Sequence, residues 1–138
     1  MKVFDDYAHH PTEVAAALQA ARTVAAGHNV YALFQPHLFS RTREFARAFA
    51  EALSLADRAF VVDIYPAREE PMEGVTSRLI TDAGFSEVRY ASSAHEAAAR
   101  IAASAAPGDI VMTIGAGDVT EFAPILRAGR AEAGGGRR

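Results

Sequence analysis

Short runs of consecutive apolar residues recur along this 138-residue chain, separated by stretches with helical spacing. The runs are rich in β-branched and aromatic residues, which favour strands. They are Val3–Phe4, Val30–Phe34, Ala59–Val62, Val88–Tyr90 and Ile110–Ile114. Because the apolar residues are consecutive and do not alternate with polar ones, each run predicts a strand buried on both faces.

Between these runs, apolar residues recur at spacings of three and four, which is typical of amphipathic helices. The first helix is predicted from Pro11, which suits a first helical turn, to about Ala25. The second is predicted from Ser40, a candidate N-cap, to about Ala56. The remaining helices are predicted over 76–83, from the capping-box pattern Ser93–Glu96, and after Asp118.

The alternation of strands and helices predicts an α/β fold. Right-handed crossovers would give a Rossmann-like, open, mostly parallel sheet with helices on both faces. The length suits a single domain, expected over residues 1–127, and the glycine-rich residues 128–138 are expected to be a disordered tail. A strand-like run directly after Met1–Lys2 leads us to expect a fragment of a longer polypeptide.

Charge and composition exclude several classes of function. Lysine and arginine number 14 against 17 acidic residues, so the overall field offers no general attraction to nucleic acid or an anionic membrane. The chain has no cysteine, which excludes disulfides, thiolate catalysis and cysteine-ligated zinc and fits a reducing compartment. No stretch resembles a signal peptide or a membrane span, and we expect a cytoplasmic protein.

Polar residues gather directly after the predicted strands. They form the segments Asp5–Pro11, Gln35–Arg43, Asp63 and Gly115–Asp118. In open α/β sheets, ligands bind in the crevice beyond the carboxyl ends of the strands. The sequence therefore predicts one shared binding site at that edge.

The first of these segments allows three interpretations. Asp5 and Asp6 with two following histidines could ligate a divalent metal, but the spacing is not a zinc signature and we predict no metal site. A strand-end aspartate could instead cap the next helix. Binding of a substrate or nucleotide is the interpretation we favour, with His9 facing the ligand and His10 capping or packing at the helix start.

The second segment combines His37, Arg41 and Arg43 at the start of a helix. A guanidinium can hold a carboxylate with two hydrogen bonds, and the helix N-terminus adds partial positive charge, so an anionic substrate group is predicted there. The alternative is a solvated helix face on which arginines pair with glutamates, which we favour for Arg43.

Other motifs carry less information. Gly115–Asp118 is a shortened form of a dinucleotide fingerprint and is better interpreted as a tight turn in which Asp118 caps a helix. The chain has neither a P-loop nor a nucleophile elbow. His28 and His95 are expected to be structural or exposed, and the polar loop 65–71 has no assigned role.

Four strings, FDDYAHHPTEV, FQPHLFSRTREF, DIYPAREEP and TIGAGDV, resemble the C-terminal domain of the Mur ligases over residues 3–126. The similarity is greatest to the branch that joins L-alanine to UDP-N-acetylmuramate in peptidoglycan precursor synthesis. It implies an enzyme that uses ATP and Mg²⁺ to make an acyl phosphate of the sugar nucleotide, which the amine of L-alanine attacks. It also implies two partner domains, an N-terminal one for the UDP-sugar and a central one with the P-loop for ATP.

The resemblance also implies roles for individual residues. Asp6 and Tyr7 match nucleotide-binding positions. His9, His37 and Arg41 match positions around the amino acid, where Arg41 would hold the carboxylate and a neutral imidazole would orient or deprotonate the ammonium group. Leu38 stands where the family often has a basic residue, which reduces the positive charge. No residue here is firmly catalytic, and the domain is expected to be inactive alone.

Two alternatives remain open. A related ligase that recycles murein tripeptide onto the same sugar nucleotide shares the opening motif. A stand-alone, non-catalytic α/β binding module would keep the fold without the chemistry.

Overall fold

The computed structural model describes residues 1–115 as alternating strands and helices. The strands are β1 (Lys2–Asp6), β2 (Val30–Gln35), β3 (Arg58–Val61), β4 (Val88–Tyr90) and β5 (Ile110–Gly115). The helices are α1 (Pro11–Ala25), α2 (Phe39–Leu53), α3 (Arg78–Thr81) and α4 (Ala94–Ser104). The strands form one sheet in the order β1-β5-β2-β3-β4, and every neighbouring pair is parallel. The predicted α/β fold with an open parallel sheet is confirmed.

Helices cover both faces of the sheet, also as predicted. On one face, α1, α2 and α3 pack on a core that includes the fully buried Phe34 and Phe49, whose rings lie 5.1 Å apart. On the other face, α4 buries Ile101 with Leu33 and Phe60. Leu33 and Phe34 are consecutive in β2 and point to opposite faces, so the central strand needs apolar residues at every position.

The two edge strands differ from the sequence prediction. Phe4 in β1 remains 42% exposed, and Arg89 in β4 is exposed, so neither strand is buried on both faces. Each edge strand pairs with one neighbour only, and the helices cover the middle of the sheet most completely. Apolar runs of two or three residues are too short to distinguish an edge strand from a central one.

The predicted N-cap of α2 was wrong. The helix begins at Phe39, Leu38 takes the N-cap position with a φ of 74°, and Thr42 donates its hydroxyl to the Leu38 carbonyl at 2.8 Å. The backbone N–H of Ser40 is instead satisfied by a side chain from a distant loop, Glu69. The helix also ends at Leu53, before the predicted Ala56.

The predictions of α3 and α4 are confirmed, with differences in detail. Ser93 is the N-cap of α4 and accepts from the Glu96 N–H, as predicted, but the Glu96 carboxylate accepts from Ser92 rather than from Ser93. The helix expected over 76–83 is present as the single turn α3. The helix after Asp118, the domain boundary at residue 127 and the tail lie outside the described residues and stay predictions. Within residues 1–115, no helix is long and apolar enough to cross a membrane.

Gly115 is the last residue of β5 that pairs with β2. It lies opposite Gln35 with a φ of +131°, and a Cβ added there would come within 2.5 Å of the Gln35 carbonyl oxygen. Both the backbone conformation and the close approach therefore require glycine at the end of β5.

We predict that Gly115→Ala costs about 3 kcal/mol or more in free energy of unfolding, because strain and a backbone clash add. The matched control is Gly27→Ala, where φ is +95° and nothing lies within 4 Å of the added Cβ. Only the conformational strain applies there, so a loss of about 1–2 kcal/mol is expected. Urea unfolding of both variants measures the difference, and equal losses would contradict the proposed clash.

Candidate functional site

The loop after β1 is shaped by a short turn. The Asp6 carboxylate accepts a hydrogen bond from the Ala8 N–H at 2.8 Å, and Ala8 is buried beneath the loop. This turn leaves Tyr7 66% exposed and His9 exposed. The His9 N–H donates to Glu13 at 3.3 Å, and its ring Nδ1 lies 3.1 Å from the Tyr7 carbonyl oxygen. The His9 ring is thus held in place above the start of α1.

His10 has the structural role that the sequence suggested. Its Nδ1 accepts from the Thr12 N–H at 3.3 Å and so caps α1, and its ring packs on Phe45 with centroids 5.0 Å apart. His10 therefore joins α1 to α2 at the foot of the first loop.

The loop after β2 is attached to the loop after β3. His37 and Tyr65 form an isolated parallel bridge in which the Leu38 N–H donates to the Tyr65 carbonyl at 2.9 Å and the Tyr65 N–H donates to Pro36 at 2.8 Å. The Tyr65 ring stacks on the His37 imidazole, with centroids 5.7 Å apart and planes 15° from parallel. Backbone and side chain together fix the His37 ring.

Arg41 lies one helical turn after His37 and contacts its ring. The guanidinium Nη1 is 3.2 Å from His37 Nδ1. Partial burial lowers the pKa of His37 below its ordinary value, the Arg41 and His9 side chains lower it further, and Glu69 opposes them. The electrostatics of the site therefore favour a neutral imidazole at neutral pH.

Glu69 secures the N-terminus of α2 from the loop after β3. Its carboxylate accepts from the Ser40 N–H at 3.0 Å and from the Ser40 hydroxyl. These hydrogen bonds, with smaller help from Arg41, lower the pKa of Glu69. The carboxylate also lies at the helix end where negative charge is favourable.

The two loops meet at the sheet edge, because the rings of His9 and His37 lie 6.2 Å apart in an edge-to-face arrangement. The structure thus brings together His9, His37 and Arg41, and it places Asp6 at the end of β1 and Tyr7 at the start of the first loop. Their binding roles stay predictions.

Sequence reasoning missed two members of this site, Tyr65 and Glu69. Both lie in the polar loop that follows β3, and its position at the carboxyl edge was the available signal. Their contacts with His37 and Ser40 span 28 and 29 residues of sequence, which no local pattern encodes.

Several other polar residues lie apart from the two histidines. The Thr113 hydroxyl in β5 donates a hydrogen bond to the Asp5 carboxylate, and the Tyr90 hydroxyl donates one to Asp63 at 2.7 Å. Arg43 is exposed on α2, in agreement with a solvated helix face. In the part of the chain that the structure covers, no three histidine, aspartate or glutamate side chains are close enough to hold a metal ion. Of Gly115–Asp118, only Gly115 is described.

The chain resembles known proteins in both sequence and structure. A family model described as the Mur ligase, glutamate ligase domain, matches residues 1–117. The chain belongs to this Mur ligase C-terminal domain family. Its similarity to the UDP-N-acetylmuramate–L-alanine ligase of Paenarthrobacter aurescens is 61% identity over 126 residues, 91% of this chain and 27% of the relative. The Mur ligase domain therefore spans about a quarter of the length of such a relative.

Solved structures support the same assignment. The UDP-N-acetylmuramate-alanine ligase of Thermotoga maritima matches with a TM-score of 0.72 and 27% identity, over 95% of this Mur ligase domain and 27% of that chain. A murein peptide ligase from Psychrobacter arcticus matches with a TM-score of 0.74 and 23% identity. The match covers 93% of this chain and 27% of that one. The second likeness shows the fold alone, so the fold does not separate the branches of the family.

We predict that His37 titrates below 6.5, its ordinary pKa, in an NMR titration of the imidazole signals. In Arg41→Met its pKa should rise towards 6.5 without reaching it, because burial, the largest cause, remains. Arg43→Met, an exposed arginine on the same helix, should leave it unchanged. Titration of His37 at or above 6.5 in the unaltered chain would contradict the described electrostatics.

We also predict that the Glu69 contact contributes stability that depends on pH. Because the folded-state pKa lies below 4.5, the contribution is fully present above 4.5 and is lost as the pH falls through the folded-state value. The difference in Tm between the unaltered chain and Glu69→Gln should therefore shrink on acidification. Glu70→Gln, at the exposed neighbouring residue, serves as control, and a pH-independent difference for Glu69→Gln would refute the mechanism.

Proposed function

We propose that this chain is the amino-acid- and nucleotide-contacting domain of an ATP-dependent ligase that joins L-alanine to UDP-N-acetylmuramate through an acyl phosphate. The observation that carries the proposal is the meeting of His9, His37 and Arg41 at one sheet edge. It is supported by the name and the 61% identity of the relative from Paenarthrobacter aurescens.

The geometry suits an α-amino acid. The guanidinium of Arg41 uses one N–H on His37, and no other group in residues 1–115 accepts a hydrogen bond from it, which leaves donors for a carboxylate. The N-terminus of α2 is already occupied by the Glu69 carboxylate, so it adds little attraction for a second carboxylate. Leu38 supplies no charge of its own, so Arg41 is the principal cation for the carboxylate in this proposal.

The nucleotide would lie along the first loop. Tyr7 presents an exposed aromatic ring on which an adenine can stack, and Asp6 presents a carboxylate that can accept a hydrogen bond from a ribose hydroxyl. The Asp6 oxygen Oδ1 is already used by the Ala8 N–H, so the turn orients the carboxylate before any nucleotide binds.

The remaining parts of the reaction would come from other domains of the same polypeptide. This chain has no P-loop, and our proposal assigns no metal to this domain. The UDP-sugar site and the ATP phosphate site are assigned to N-terminal and central domains. Closure of this domain over them would exclude water from the acyl phosphate and align the amine.

A murein peptide ligase is the second candidate, because the branch that recycles murein tripeptide shares the opening motif at Asp5–Pro11. The 61% identity to a relative named as an L-alanine ligase supports alanine. Comparing kcat/KM of the full-length enzyme for L-alanine and for murein tripeptide distinguishes the two, and a preference for the tripeptide would overturn the first assignment.

The test of the amino-acid site uses the full-length ligase that contains this chain. Arg41→Met should raise KM for L-alanine about 10–100-fold, because a charge-assisted hydrogen bond contributes roughly 1.5–3 kcal/mol. Arg43→Met should change KM by no more than about twofold, as expected for an exposed helix charge. Phosphate release assayed against L-alanine concentration gives both values.

Two results would contradict the proposal. Equal effects of the two arginine substitutions would remove Arg41 from the amino-acid site. Phosphate release by this chain alone, mixed with UDP-N-acetylmuramate, ATP and L-alanine, would refute the division of work between domains.

A further inference from the structure

The two histidines of the site hold their ring protons on different nitrogens. His9 Nδ1 lies 3.1 Å from the Tyr7 carbonyl oxygen, which can only accept a hydrogen bond. Nδ1 of His9 is therefore the protonated nitrogen, and Nε2 of the neutral ring carries a lone pair.

The opposite assignment holds for His37. Its Nδ1 lies 3.2 Å from the Arg41 guanidinium, which can only donate. Nδ1 of His37 is therefore the acceptor, and the proton of the neutral ring is on Nε2. The stacked Tyr65 ring keeps the imidazole in this orientation.

We infer that the two rings have different roles towards the amino acid: His9 Nε2 accepts a proton from the ammonium group, whereas His37 Nε2–H and Arg41 donate hydrogen bonds to the carboxylate. This inference rests on the proposed function and deepens it, because the resemblance leaves open which imidazole meets the amine. His37 cannot be the base in this arrangement, since its only basic nitrogen is occupied by Arg41.

The two rings are close enough to reach one amino acid together. Their centroids are 6.2 Å apart, which leaves no room for a ligand between the rings, so the amino acid would lie across the edges of both. The ammonium and carboxylate of an α-amino acid are joined through a single carbon, so an acceptor on His9 and donors on His37 and Arg41 would select its orientation, with its nitrogen towards the loop after β1.

Both surplus protons of the ammonium group have an acceptor in this arrangement. His9 Nε2 takes one proton from the ammonium, and the freed amine attacks the carbonyl carbon of the acyl phosphate. As the C–N bond forms, the C–O bond to phosphate breaks, and phosphate leaves with the electron pair of that bond. The second surplus proton of the nitrogen goes to the departing phosphate, which leaves a neutral amide.

Charged groups around both rings are consistent with these roles. His9 faces Glu13, which accepts its backbone N–H, and the His37 ring. His37 faces Arg41, His9 and Glu69, with Tyr65 stacked on it. The cation next to His37 disfavours a second proton on that ring.

The first test measures the tautomers directly on the histidine-labelled chain, without substrate. Long-range ¹H–¹⁵N correlation spectra at mildly alkaline pH should show the proton of His9 on Nδ1 and that of His37 on Nε2. Arg41→Met should release His37 into a mixture of tautomers and leave His9 unchanged. The same tautomer on both rings in the unaltered chain would overturn the inference.

The second test uses isosteric substitutions in the full-length ligase. His9→Asn keeps an N–H for the Tyr7 carbonyl but has no Nε2 lone pair, so kcat should fall about 100-fold or more. His37→Gln keeps an N–H at the Nε2 position, so KM for L-alanine should rise about tenfold while kcat changes far less. His95→Gln, at an exposed position of α4, is the control.

The outcomes separate this inference from the proposed function. If His37→Gln lowers kcat as much as His9→Asn, or if His9→Asn leaves kcat intact, the division of roles is wrong even though the enzyme is an alanine ligase. If the full-length protein does not use L-alanine but the spectra show the two tautomers, the proposed substrate fails and the arrangement of donors and acceptor stands.

Discussion

The site depends on a parallel bridge that continues the pairing of β2 and β3 beyond the ends of both strands. Through it, the backbones at His37 and Tyr65 stay hydrogen-bonded after the regular sheet has ended. This contact forces the turn at Leu38, whose φ of 74° is unfavourable for a residue with a side chain. The surrounding hydrogen bonds must offset that strain, as is common where a fold positions functional groups.

This bridge determines where the charged groups of the site point. The chain enters α2 immediately after Leu38, so Arg41 returns to His37 one turn later, and Ser40 presents its N–H to Glu69. The Arg41 cation and the Glu69 anion thus both lie near the His37 imidazole, at the N-terminal end of α2. The loop after β1 reaches the same place by a different route, through the turn at Asp6, and this independence explains why its histidine can carry a different tautomer.

The sequence predicted those features that local pattern encodes. Consecutive apolar residues in β2 and β5 indicated buried parallel strands, and strand-end polar segments indicated where His9 and His37 would lie. Edge position was not encoded, because Val3–Phe4 is apolar whether or not a neighbour covers it. The start of α2 was misplaced because Ser40 has the composition of a cap, whereas a loop 29 residues away determines its actual partner. Tyr65 and Glu69 were missed for the same reason.

The central claim, that the loops after β1 and β2 form one pocket for an α-amino acid, is tested most directly by ligand titration. In the full-length ligase held with UDP-N-acetylmuramate and a non-hydrolysable ATP analogue, ¹⁵N-histidine signals can be followed as L-alanine is added. The account predicts that the signals of His9 and His37 shift together and saturate at the same concentration, while those of His28 and His95 do not move. A saturating shift confined to one of the two site histidines, or none at all, would contradict it.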